Sequence, residues 1–339
     1  MVSWNLHGAP GAPEIEARFA RVARWILAPP GGGRPPDLVC FQEVWTGGQE
    51  EQLRAALGER YDLFGTPRGW LVRRGGLLAL VRRGGELTCQ GSHFREFAAE
   101  APAWRIWEGD GFADKGVQRL ELRLAGEALV VFHTHLQAGY PGAEHAQTRA
   151  AQLAELAQAM AQAPAAAPAL ALGDLNTEPD DLERLLLARD PRWRDLVAPL
   201  RERRECWSPP DSRGREKWID YALGRDGASG LLRVLRRDCM PSRPADHPFS
   251  DHPGLDLELA IDLGPQARRL LPALLAARLA APQTRREWLG ALALLGLGTW
   301  LPAPAQRASW RASFAQPSRS PTLRESTSAP GRESGSTQK

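Results

Sequence analysis

Ala169-Leu170-Ala171-Leu172-Gly173-Asp174-Leu175-Asn176 is a short apolar run that ends in an acid and an amide. An apolar run of this length closed by polar residues describes a buried strand whose end meets solvent or a site. Pro179, Asp180 and Asp181 follow, and they predict a helix start, because proline suits the first helical turn and acids favour the positive end of the helix dipole. Upstream, 144–162 is rich in Ala, Gln and Leu and predicts a long helix. Further upstream, 117–124 and 128–135 alternate as two strands, with Ala125-Gly126-Glu127 as their hairpin turn.

The rest of the chain continues this alternation. Residues 2–7 begin as a strand and break at Gly8-Ala9-Pro10-Gly11-Ala12-Pro13. Ile15, Phe19, Val22, Trp25 and Ile26 recur at helical spacing within 14–27, before Pro29, Pro30 and three glycines. Residues 37–44 form a nearly continuous apolar strand bounded by Pro35-Pro36 and Gly47-Gly48, and 77–81, 218–223 and 255–261 read as further strands. This order predicts one α/β domain over 1–261, in which two β-sheets pack face to face with helices outside.

Composition fits a globular enzyme: 43% hydrophobic, 24% charged and a formal net charge of +3. The slight arginine excess is spread along the chain, so charge alone does not mark a nucleic-acid binder. Cys40, Cys89, Cys206 and Cys239 form no CxxC pair, which argues against a zinc site and a dense disulfide framework. Cys40, inside an apolar run, reads as a buried free thiol, while one disulfide among the other three stays open. No secretory signal precedes the first strand. That strand is short, which leaves room for a start further upstream and for an export signal lost with it. Localisation therefore stays open between cytoplasm, peripheral membrane and export.

Composition changes after Ile261. The segment 262–302 is rich in Leu, Ala and Arg, and its apolar stretch 288–301 is shorter than the roughly 20 residues of a membrane span. Either it lies in a membrane interface, with Arg285, Arg286, Trp288 and Trp300 at headgroup level, or it forms a helix packed on the domain. Residues 303–339 are Ser, Pro, Arg and Thr with few apolar residues, a composition that predicts disorder.

The chemistry-bearing residues sit at strand ends: Trp4-Asn5-Leu6-His7-Gly8, Gln42-Glu43-Val44, His133-Thr134-His135-Leu136, Gly173-Asp174-Leu175-Asn176, Ile219-Asp220-Tyr221 and Ser250-Asp251-His252. A carboxylate beside apolar sequence needs a partner or a metal, and a hard cation would serve Glu43, Asp174, Asp220 and Asp251 alike. In this order and spacing the six segments resemble the endonuclease/exonuclease/phosphatase superfamily over residues 1–261. The resemblance implies a four-layer sandwich that hydrolyses phosphodiesters with Mg2+ or Mn2+. It implies Glu43 as principal metal ligand with Asn5 beside it. His252 would be the general base, and Asp220 would fix its tautomer. Asp174 and Asn176 would orient the attacking water and a phosphoryl oxygen, Asp251 would lie close to the metal, and His135 would donate to the phosphate. Each has a structural counterpart: a core histidine for His135, a turn and cap for Asp174 and Asn176, and a solvated loop for Asp251 and His252. His133 reads as structural, and His7 and His247 as bystanders.

Gln42-Glu43-Val44-Trp45, Phe112-Ala113-Asp114-Lys115-Gly116 and His133-Thr134-His135-Leu136-Gln137-Ala138 resemble the neutral sphingomyelinases. So does Gly173-Asp174-Leu175-Asn176 followed by Pro179. That resemblance implies Lys115, with Asn176 and His135, as substrate-binding residues, Lys115 lying near the rim of the site; Lys115 as a solvated loop charge and Trp45 as packing are the alternatives. It implies sphingomyelin or a related phospholipid as substrate at a membrane surface, cleaved to ceramide and phosphocholine. The long membrane-embedding regions of animal enzymes and the aromatic hairpin of secreted bacterial ones have no obvious counterpart here. A DNA endonuclease or repair nuclease on the same scaffold would instead use a basic cluster, for which Arg73, Arg74, Arg82 and Arg83 are candidates. A phosphoinositide phosphatase is a third possibility, and a non-catalytic binding module would have lost Glu43 or His252, both of which are present. No obligate protein partner is evident.

Overall fold

The computed structural model describes residues 1–69, 72–100, 113–140, 145–208, 214–240 and 249–263. The expectations for Phe112, His247, residues 264–302 of the C-terminal segment and 303–339 lie outside these residues.

Among the described residues twelve strands make two six-stranded sheets. The first sheet contains β1 (Val2–Asn5), β2 (Leu38–Gln42), β3 (Tyr61–Gly65), β4 (Leu78–Arg82), β11 (Gly230–Met240) and β12 (Gly254–Leu263), in the order β11-β12-β1-β2-β4-β3. The second contains β5 (Leu87–Glu96), β6 (Gly116–Leu124), β7 (Glu127–His135), β8 (Ala169–Asp174), β9 (Trp193–Asp195) and β10 (Asp220–Arg225), in the order β5-β6-β7-β8-β10-β9. Both sheets carry one parallel pair at the centre, β1 with β2 and β7 with β8, and antiparallel pairs elsewhere. A parallel pair needs a crossover from one end of the sheet to the other. Here the crossovers carry α1 (Ile15–Leu27) and α3 (Ala146–Ala161).

The helices cover the outer faces. Phe19, Val22, Ala23 and Ile26 of α1 join Leu53 and Leu57 of α2 (Gly47–Leu57) over Val2, Trp4, Val39, Phe41, Leu78 and Leu80. Burying each large apolar side chain contributes about 1.5–3 kcal/mol. The alternate residues of the same strands, Leu38, Cys40, Ala79 and Val81, belong to the core shared with the second sheet. Leu153, Leu156 and Met160 of α3 extend that core beneath the second sheet.

Several local expectations are corrected. Gly47-Gly48 is the first turn of α2 rather than a break. Thr46 Oγ1 accepts from Gln49 N at 3.2 Å while Gln49 Oε1 accepts from Thr46 N at 2.9 Å, a capping box strong enough to start a helix on two glycines. After Pro179 the chain makes a 3-10 segment, Leu182–Arg189, and not an α-helix. The Asp181 carboxylate accepts from Glu178 N at 2.7 Å and Thr177 Oγ1 at 3.2 Å, which closes a local turn in place of a cap. Cys40 is a buried free thiol, as its apolar run predicts, and of the other three cysteines Cys206 is bridged to Cys239 with Cα atoms 5.3 Å apart. Among the described residues no helix is long and apolar enough to cross a membrane.

Candidate active site

In the parallel pairs the register places Asn5 beside Gln42 and His135 beside Asp174, so all four residues end their strands. The two pairs meet through one amide. Asn5 Nδ2 donates to Glu43 Oε1 and to Asp174 Oδ2, each at 3.0 Å, and thereby ties the ends of β2 and β8. Asn5 Oδ1 accepts from His7 N at 2.9 Å, which fixes which way the amide faces.

Glu43 is reached by a turn into left-handed backbone, φ 61°, immediately after β2. A non-glycine residue in that region is strained, and strain of this kind concentrates at functional sites. Gly8 allows the approach, since a Cβ there would run into the Glu43 carbonyl oxygen. Gly173 has φ 136°, and a Cβ on it would overlap the carbonyl oxygen of Thr134, its neighbour across the β7–β8 pair. The glycine thus lets β8 lie close against β7 just before Asp174.

Asp220 begins β10 opposite Asp174. His252 precedes β12 on the other sheet, and its Nδ1 lies 2.8 Å from Asp220 Oδ2. When the ring is neutral, the Asp220 carboxylate accepts from Nδ1–H and the Nε2 lone pair is free to take a proton, with Asp174 Oδ2 at 3.7 Å. Burial works against protonation of His252, but the charges of Asp220 and Asp174 outweigh it and hold the imidazole well above its usual range. Burial pushes Asp174 up to about 7; the His252 charge and hydrogen bonds from Asn176 N and Asn5 oppose the rise, and Asp220 adds to it.

His135 Nε2 lies 3.6 Å from Asp174 Oδ2, and Lys115 Nζ lies 3.1 Å and 3.2 Å from the two nitrogens of the His135 ring. Burial, Lys115, His252 and His133 all push His135 well below its usual range, so the ring is neutral. Lys115 is not at a solvated rim: it is only 2% exposed, stacked over Trp45 at 5.2 Å, on the floor beside His135. The amine is a buried cation aimed at the ring rather than a loop charge.

Asn176 follows the pair in left-handed backbone, φ 48°; its N–H donates to Asp174 Oδ1 at 2.8 Å and its amide to the Leu136 carbonyl at 3.0 Å. Asp251 stands apart, half-exposed, with His7 Nδ1 at 3.4 Å. Ser250, to which the sequence assigned no role, donates through Oγ to Asn5 O at 2.6 Å and accepts from His252 N at 3.1 Å. It couples the backbones of the two motifs, and its place beside Asp251-His252 was the only signal for it. His133 lies between the sheets, 2.8 Å from Gln42 Nε2 and 3.1 Å from Gln118 Oε1, and burial drives it down to about 3.

Two places fit a hard cation. Asp174, Asp220 and His252 offer ligand atoms within 4.8 Å of one another. In that group, however, the shortest contact is the His252–Asp220 hydrogen bond, which an ion on the same atoms would break. Glu43 Oε2, by contrast, is buried with no hydrogen-bond partner. An orphaned carboxylate oxygen with a second carboxylate tied to it through the Asn5 N–H groups fits a divalent cation of the magnesium kind, the Asn5 amide orienting the two carboxylates from beside the ion.

In both sheets the central strands therefore end in carboxylates, amides and histidines gathered around this oxygen. Residues 2–252 match the model of the Endonuclease/Exonuclease/phosphatase family, and the chain belongs to that family. It is similar to human sphingomyelin phosphodiesterase 2, with 32% identity over 154 residues, 44% of this chain and 35% of that protein. The match thus spans about a third of that relative's length. Among solved structures, TDP2 of D. rerio complexed with a single-strand DNA product superposes with a TM-score of 0.62 at 16% identity, over 76% of this chain and 97% of that one. Sphingomyelinase C of Streptomyces griseocarneus gives 0.51 at 18% identity, over 77% and 98%. At these identities the two structures establish the shared fold.

Proposed function

We propose that this chain is a divalent-metal-dependent phosphodiesterase that hydrolyses sphingomyelin, or a related phospholipid at a membrane surface, to ceramide and phosphocholine. The chemistry rests on one observation: the His252–Asp220 pair stands beside Asp174, 3.7 Å from His252 Nε2, and Asn5 ties Asp174 to the orphaned Glu43 carboxylate. His252 Nε2 takes the proton of the attacking water as the Nδ1–H stays on Asp220, which stabilises the imidazolium that forms. Asp174 and Asn176 orient that water. The neutral His135 ring, with the Lys115 amine 3.1 Å and 3.2 Å from its two nitrogens, donates its N–H to a phosphoryl oxygen, and the neighbouring amine strengthens that donor. Mg2+ or Mn2+ bound by Glu43, with Asn5 beside it, would supply Lewis-acid polarisation of the phosphate and relieve charge on the departing alcohol oxygen.

The lipid substrate is supported by the similarity to human sphingomyelin phosphodiesterase 2. It is also supported by the state of the arginines that a nuclease would need. Arg73 is buried against Glu50, Arg74 pairs with Glu96 and Asp114, Arg82 with Asp37 at 2.5 Å and Arg83 with Asp62 at 2.8 Å. Each is already neutralised by a carboxylate, so the four do not form a patch for a phosphate backbone.

The test is phosphocholine release from sphingomyelin mixed micelles with magnesium, beside nicking of supercoiled plasmid, for wild type and His252→Ala. Lipid turnover lost by on the order of 10² or more in the variant is the expected result. Plasmid nicking without lipid turnover would remove the lipid assignment.

A further inference from the structure

The His252–Asp220 hydrogen bond joins two different sheets: Asp220 opens β10 of the second, and His252 leads into β12 of the first. Its 2.8 Å length depends on how closely the sheets stay packed at this edge. The edge is formed by β11 and β12 on one side and by β9 and β10 on the other. At the end away from the site the backbone itself crosses, since only residues 226–229 separate β10 from β11. Leu232 N donating to Asp226 Oδ1 at 2.8 Å reinforces that crossing.

At the site end the corresponding closure is the disulfide. Cys239 lies near the end of β11, registered against Leu255 of β12, three residues after His252. Cys206 precedes Trp207, whose ring meets Trp218 edge-on at 6.2 Å, and Trp218 is two residues before Asp220. The chain around Trp207 is further tied to that approach, because Ser208 N donates to Lys217 O and Lys217 N to Ser208 Oγ, each at 2.9 Å. The bridge therefore links the segment that delivers Asp220 to the strand pair that delivers His252. One further contact of the same kind is polar, Arg237 Nε donating to Leu196 O at 2.5 Å.

We infer that the Cys206–Cys239 disulfide is a positioning device for the His252–Asp220 pair, so that the enzyme gains full activity on oxidation. Neither cysteine takes part in the chemistry. The two thiols lose two electrons and two protons as the S–S bond forms, and the disulfide of an exchange catalyst or a small-molecule disulfide takes them up as two thiols. The inference rests on the assignment of His252 as general base. It carries a consequence for location: full activity develops in an oxidising compartment.

The experiment compares oxidised wild type, wild type reduced with dithiothreitol, Cys206→Ser/Cys239→Ser without reductant, and Cys89→Ser. Phosphocholine release from sphingomyelin micelles gives kcat and KM, circular dichroism reports folding, and 15N shifts of the His252 ring report its tautomer. Reduction and the double variant are expected to lower kcat about tenfold or more with KM within about twofold. The fixed Nδ1–H signature should fade in both while the fold persists, and reoxidation of the reduced wild type should restore both. Cys89→Ser should leave both unchanged. Unchanged kcat and ring signature after reduction would overturn the inference, as would loss of activity only in step with loss of fold. If oxidised wild type hydrolyses no sphingomyelin, the proposed substrate fails, and the ring signature alone still decides whether the bridge positions His252.

Discussion

The two sheets are wired alike and equipped differently. Each runs antiparallel, antiparallel, parallel, antiparallel, antiparallel from one edge to the other, with its parallel pair spanned by a helix. The first delivers Asn5 and Glu43 from its parallel pair and His252 from the approach to β12. The second delivers His135 and Asp174 from the equivalent pair, Lys115 from the approach to β6, and Asp220 from β10. β6 occupies in its sheet the place that β12 holds in the other, so Lys115 and His252 enter from matching positions. One is a lysine amine beside a neutral ring, and the other an imidazole whose protonation is controlled by carboxylates. On the proposed mechanism neither half is sufficient: the orphaned oxygen and the proposed base come from one sheet, and the proposed base's partner and the proposed phosphate donors from the other.

The largest test of that division is Glu43→Gln, which keeps shape and removes charge. Activity should fall on the order of 10³, and the thermal stabilisation that Mg2+ gives wild type should vanish with it. A retained Mg2+ shift in the melting temperature would move the cation to the second half. Next is Asp220→Asn, expected to cost on the order of 10² in kcat because the tautomer of His252 is no longer held. It should also move the pH profile. His252 works as a base only when neutral, and the carboxylates hold its pKa above the usual range, so wild-type activity rises with pH through that raised value. Removing the Asp220 charge lowers the pKa and displaces the rising limb to lower pH. An unmoved limb would mean another group sets it. The smallest effect on activity is expected for His133→Leu, which leaves Gln42 and Gln118 short of a partner between the sheets. It should destabilise by about 2 kcal/mol in urea unfolding with kcat little changed. A large fall in kcat would place His133 in the chemistry.

Legibility in the sequence followed burial. The strands that could be read were those inside the sheets, such as Ala169–Asp174 and Leu38–Gln42, whose residues are apolar on both faces. β3, β5, β9 and β11, which were not read, are the four sheet edges. Edge strands are half-solvated, and their pattern dissolves into polar residues: β11 carries Arg233, Arg236 and Arg237 and a register shift at Val234/Arg236, and β5 shifts at Cys89/Gly91. The site residues were legible because each polar side chain lies at, or within three residues of, one end of a strand. What spacing did not convey was depth. Lys115 looked like a rim charge because nothing local shows that Trp45 and His135 enclose it, and Asp251 looked as central as His252 although it faces solvent. The Cys206–Cys239 pairing was likewise beyond reach, since it depends on how the two edges stack.

The measurement that bears most directly on a site shared between the halves is a double-mutant cycle on kcat for Mg2+-dependent phosphocholine release, combining Glu43→Gln with His135→Ala. Two residues acting on one phosphate should give strongly non-additive losses, the double variant falling little below the worse single one. Losses that multiply in full, or a single variant with wild-type activity, would contradict a common site.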